Sequence, residues 1–339
     1  MKSALLSVGL ACVATAAMAG GQPFVEQSAL QQYKDAILAD KKATYETTVV
    51  IESQFGQRGH AYKMKVHKPH PDYARMDYLD GPRNGQTSHV YKHVVIRSDP
   101  RKKELVFELR PDPQERARRE NLQKSLFQKQ VAVEQIRHDA WEGTKTVVVE
   151  ARVGSSPAKR YWINPENQAV LRIQTLSYDG KLLRDEQRQS WRALAPIAEP
   201  PAPPKVQSGW KLVRKPAPAS LTSAEQARLN AYEAPSTYRL LYSSKDDCMC
   251  GGDHKSISGV YTNGLNNYTL FIVHDDCRRT KERAKDGCMA DKTPSGIVAT
   301  YRSGDRMAVV VGELTPEQVK EIFQLRSVSD VQFESPRRR

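Results

Sequence analysis

Seven of the chain's 20 prolines lie between Pro196 and Pro218, with Pro200-Pro201-Ala202-Pro203-Pro204 at the centre. Proline has no amide hydrogen to give a ladder and its ring fixes φ. Such a run interrupts helix and sheet alike and favours extended polyproline II, a semi-rigid spacer. The run therefore predicts two units, residues 20–195 and 219–335, joined by a linker at 196–218. Within 339 residues, each side is long enough to bury a core.

The first 19 residues read as an export signal. Lys2 supplies the charged start, Ala4 to Ala16 a short apolar run, and Ala17-Met18-Ala19 a small-x-small cleavage site. Cys12 invites a lipoprotein reading, but Gly9-Leu10-Ala11 before it is a poor match, so cleavage after Ala19 to a soluble, periplasmic form is expected. No other apolar run approaches the ~20 residues that span a bilayer. Losing Lys2 takes the net charge from +13 to +12. Outside the cytoplasm nucleic acid is not the expected partner of that charge. Lipid headgroups, lipopolysaccharide or an acidic protein segment remain, beside a merely solvated surface.

Period-two patterning dominates the first unit after a short helix carrying Leu30, Tyr33, Ile37 and Leu38. Thr44–Ser53 and His60–His67 alternate as half-buried strands, with Tyr62, Met64 and Val66 on one face and Lys63, Lys65 and His67 on the other. Further strands are expected at Val147–Val153, Arg160–Ile163, Val170–Tyr178 and Leu182–Trp191, with turns at Asn164–Asn167 and Asp179-Gly180. Pro113 to Gln130 fits a basic helix, with Leu122, Leu126 and Phe127 on an apolar edge; a solvated face is the commoner fate of such a helix, membrane contact the alternative. The second unit reads as α+β. Capping boxes at Thr222–Glu225 and Thr315–Gln318 open two helices, and strands are expected at Tyr238–Tyr242, Ser256–Tyr261, Asn267–His274, Ile297–Arg302 and Met307–Val311.

Enzyme motifs are missing: there is no phosphate-cradling glycine loop, Gly-x-Ser-x-Gly elbow or HExxH helix, and no cofactor is implied. Four cysteines follow the signal, Cys248, Cys250, Cys277 and Cys288. An even, clustered set in an exported chain reads as disulfide-bonded, and a bridge within 248–250 would be strained, which favours two bridges to the 277–288 segment. With His254 and His274 the same cysteines offer a thiolate metal site as the alternative.

Several segments resemble the RseB/MucB family of periplasmic regulators of the sigma-E envelope-stress response. They are Tyr78 to Arg83, the run RYWINPENQAVLRIQTLSYDGKLL, the segment YTNGLNNYTLFI, and Met307 through Val311-Gly312-Glu313-Leu314-Thr315-Pro316. The resemblance implies an α+β chain. Its first unit would be a LolA-like curved antiparallel half-barrel sheet with covering helices, and its second a smaller α+β domain. It implies a non-enzymatic regulator that holds the periplasmic part of a membrane anti-sigma factor, shields it from proteolysis and is released by a lipid or lipopolysaccharide signal. A lipid or lipoprotein carrier on the same fold is the alternative. Two stretches depart from the family's pattern: the cysteine-rich segments Asp246–Asp253 and Asp275–Asp291, and the highly charged region Pro111–Gln130. On such a sheet the lipid-facing candidates are Val49, Ile51, Tyr62, Met64, Val66, Val147, Val149, Leu171 and Ile173. An ordinary closed core is the competing role for each.

Overall fold

The alternation of the first 200 residues becomes eleven strands of one twelve-stranded sheet in the computed structural model, which describes residues 28–53, 60–215, 219–247, 255–273, 286–293, 296–304 and 306–333. Helix α1 (Ala29–Lys42) leads into a first meander of β1 (Tyr45–Ser53), β2 (His60–His70), β3 (Tyr73–Tyr78), β4 (Thr87–Tyr91), β5 (Val94–Asp99) and β6 (Glu104–Leu109). Helix α2 (Pro113–Gln130) then crosses to a second meander of β7 (Ala132–Trp141), β8 (Thr144–Arg152), β9 (Lys159–Ile163), β10 (Val170–Leu176) and β11 (Leu182–Ala193). The meanders join where β1 pairs with β11, from Tyr45 opposite Ala193 to Ser53 opposite Arg184.

The linker is not wholly a spacer. The Ile197 amide donates to the Pro69 carbonyl (3.1 Å), and the Tyr91 hydroxyl donates to the Ala202 carbonyl (3.2 Å). Past the prolines, β12 (Lys211–Lys215) adds to the sheet edge, parallel to β6. The proline-free stretch keeps its amides and uses them, which makes the large curved sheet mixed rather than purely antiparallel. Residues 216–218 and the signal region 1–19 lie outside the described residues.

The second unit is a seven-stranded sheet in the order β13-β14-β15-β18-β17-β16-β19. Its strands are β13 (Arg239–Asp247), β14 (Lys255–Thr262), β15 (Asn267–Ile272), β16 (Gly287–Thr293), β17 (Gly296–Ser303), β18 (Arg306–Gly312) and β19 (Val331–Phe333). Both capping boxes form. Thr222 opens α3 (Ser223–Asn230) and Thr315 opens α4 (Pro316–Phe323), which buries Val319, Ile322 and Phe323. These helix residues meet Tyr238, Tyr268, Leu270 and Val310 in one core.

Helix α1 is fastened to the first sheet at its C-terminus. Lys68 Nζ donates to the Asp40 and Lys41 carbonyls (2.7 and 2.6 Å), which no helical amide can reach. The Asp40 carboxylate takes a bidentate contact from Arg188 on β11. Burial pushes the Asp40 pKa up, but the Arg188 charge and hydrogen bond outweigh it, and the net direction is down. A lowered carboxylate pKa contributes stability that is complete above the unfolded value, near 4, and is lost as pH falls through the lower folded value. Asp40→Asn should therefore reduce the unfolding free energy by on the order of 3 kcal/mol at neutral pH. It should also weaken the further loss that the parent protein shows below pH about 4. Denaturant unfolding across pH checks both.

Candidate functional site

In an antiparallel pair, directly opposed residues share a face, so the register gives the inner surface of the first sheet. Val49 opposes Met64, Ile51 opposes Tyr62, and Met64 and Val66 oppose Tyr78 and Met76. With Tyr45 these make one apolar cluster. Val147 opposes Ile163, Val149 opposes Tyr161, and Tyr161 opposes Ile173. These form a second cluster, closed by Tyr33 and Ala36 of α1 and by Phe127 of α2. Eight of the nine lipid-facing candidates fall in the two clusters: Val49, Ile51, Tyr62, Met64 and Val66 in the first, Val147, Val149 and Ile173 in the second. Leu171 is buried but sits in the β10 irregularity between Val170 and Arg172 and joins neither.

A polar strip divides the clusters. On β11, Arg184, Glu186 and Arg188 oppose Ser53, Ile51 and Val49, so all three point to the inner face. Arg184 pairs with Glu186 at 2.8 Å, and Arg188 holds Asp40. Burial raises the pKa of the Tyr62 hydroxyl beside this strip. Sequence patterning missed the strip because β11 carries charge on both faces: Arg172 and Asp185 pair on the outer one, with the Arg172 guanidinium 4.9 and 4.8 Å from the Trp141 and Trp162 rings.

Helix α2 is neither a free solvated face nor a membrane face along its length. Asp112 caps it, accepting from the Gln114 amide, and Pro113 takes the first turn. Glu115 holds Arg118 and Arg119, which turn to the second unit. Arg119 lies 3.8 Å from the centroid of the Tyr242 ring, Arg118 donates to the Leu241 carbonyl (3.1 Å), and Gln130 donates to the Thr237 carbonyl (3.2 Å). Phe127 stacks on Tyr33 at 5.1 Å, and Tyr33 stands edge-on to Tyr161 at 4.8 Å. Burial pushes the Tyr33 phenol up to about 12.

The segment YTNGLNNYTLFI supplies the other half of this contact. Its tip, between β14 and β15, reaches into the first unit. Asn263 Oδ1 accepts the Leu265 and Asn266 amides (3.1 and 2.8 Å), fixing a tight turn with Gly264 at φ +92°. Gly264 lies against α2 so closely that a Cβ would stand 2.4 Å from the Phe127 nitrogen. Leu265 enters the second apolar cluster. Asn266 Nδ2 donates to the Pro157 carbonyl (2.8 Å), and Lys159 Nζ reaches both the Leu265 carbonyl (3.1 Å) and Glu313 (3.0 Å). Gln318 of α4 donates to Ser156 (2.9 Å).

Of the cysteine set, Cys248, Cys250 and Cys277 lie outside the described residues, as do His254 and His274. Cys288 on β16 is 2 % exposed within the second unit's core and carries a free thiol, whose pKa burial pushes up to about 11. Among the described residues no helix is long and apolar enough to cross a membrane.

No family model matches the chain, and no curated protein matches it either. Solved structures do. MucB in complex with MucA(peri) superposes with a TM-score of 0.57 at 16% identity, covering 87% of this chain and 97% of that one. The Pseudomonas aeruginosa MucA/MucB complex gives 0.57 at 16% identity over 87% and 96%, and MucB alone gives 0.52 at 16% identity over the same shares. The chain is thus MucB-like in fold across both units. Because the two units meet through Gly264, Gly264→Ala should destabilise the protein by about 2 kcal/mol or loosen the contact, through both the positive φ and the clash. Chemical denaturation with limited proteolysis at the linker checks this.

Proposed function

We propose that the protein is a periplasmic regulator of an envelope-stress sigma factor. It holds the periplasmic segment of a membrane anti-sigma factor, shields that segment from proteolysis, and lets it go when an acyl lipid or lipopolysaccharide binds. The observation that carries this reading is the MucB-like fold over both units and their order, one of those structures being a complex with MucA(peri). The chain's own physics agrees with it. A net charge of +12 after signal removal suits an acidic segment or anionic headgroups. The inner face offers two apolar clusters of the kind an acyl chain uses, at about 0.8 kcal/mol per buried methylene.

The two clusters on one face of an open sheet also support a second reading, a carrier of lipid or lipoprotein. Affinity capture of the exported full chain from solubilised membranes separates the two. The regulator reading expects a single-span membrane protein encoded beside a sigma factor, recovered in stoichiometric amount. Recovery of acyl species or lipoproteins alone, with no such protein, would count for the carrier.

A further inference from the structure

The contact between the two units has an unusual composition. Its one apolar anchor from the hairpin tip is Leu265, 6 % exposed and part of the cluster that also holds Val147, Val149 and Tyr33 of α1. Around it the tip is polar: Asn263 and Asn266 are fully buried, yet Asn263 Nδ2 and Asn266 Oδ1 find no hydrogen-bond partner among the described residues. Buried amides left unpaired work against the docked state and regain water when the tip withdraws. Lys159 shows the same poise. Both of its partners, the Leu265 carbonyl and Glu313, belong to the second unit. Withdrawal of the second unit therefore leaves the Lys159 ammonium without either partner at the mouth of an aliphatic seat, the chemistry that receives a single chain ending in an anion.

We propose that Leu265 is the resident occupant of an acyl-chain site, so that a fatty acid and the hairpin tip of the second unit compete for one volume. The fatty acid's carboxylate takes the place of Glu313 beside Lys159, the methylenes next to it take the place of the leucine side chain, and the rest of the acyl chain follows the second apolar cluster. Ligand binding and domain docking are then coupled, and each opposes the other by the same factor. This rests on the lipid-binding part of the proposed function and adds to it the means by which lipid reaches the second unit.

The test uses the full chain and cis-parinaric acid as a fluorescent probe. Leu265→Ala empties the seat, and Glu313→Gln weakens the clasp while leaving the seat untouched. Both variants should bind the probe about tenfold more tightly than the parent, equivalent to about 1.4 kcal/mol. Saturating probe should also enlarge the parent's radius of gyration in small-angle scattering, and thermal unfolding checks that each variant is folded. Equal affinity in all three proteins, or a radius unchanged at saturation, overturns the competition. Binding by none of the three overturns the lipid reading itself, and the competition with it.

Discussion

Everything on the inner face depends on the ladder between β1 and β11. The two strands lie some 140 residues apart in sequence, yet pair from Tyr45 opposite Ala193 to Ser53 opposite Arg184. Without this pairing the chain is two separate meanders, each with an open edge. With it, the apolar residues of β1 to β3 and those of β8 to β10 share a surface, and the charged residues of β11 fall between them. Non-local pairing of this kind is slow to form and is held by what locks it. The lock is Arg188, which stands opposite Val49 and reaches out to Asp40 at the end of α1.

That lock also positions the contact with the second unit. Holding the end of α1 on β11 places Tyr33 over Tyr161, and Tyr33 in turn receives Phe127 from α2. Helix α2 is then a wedge with an aromatic side toward the first unit and an arginine side toward β13. The hairpin tip closes against it, with Gly264 on the helix backbone and Leu265 in the cluster. The second apolar cluster and the domain contact share side chains, since Tyr33 and Phe127 line the one and Leu265 of the other enters it.

Much of this was legible in the sequence where burial is one-sided. Tyr62, Met64 and Val66 alternate against lysines, and the capping residues Thr222 and Thr315 open their helices as expected. Where burial gives no pattern, sequence is silent. Strand β7 was not foreseen because it is the outermost strand, with residues 134–140 exposed on both faces, so only its backbone pairing with β8 defines it. The inner placement of Arg184, Glu186 and Arg188 was equally hidden, since Asp40, the partner that makes Arg188 tolerable there, lies 148 residues away. The linker was read from its prolines, and the five residues beyond Trp210 that join the sheet were read with it. Gly264 was visible only as part of a resemblance; its reason is the Phe127 backbone, far off in sequence.

The most direct measurement is the affinity of the full chain for the periplasmic segment of the anti-sigma factor proposed as its partner, with and without saturating fatty acid. A regulator whose ligand site and domain contact are the same place holds the segment tightly alone and at least tenfold more weakly with fatty acid bound. An affinity unchanged by fatty acid that is demonstrably bound would contradict the account.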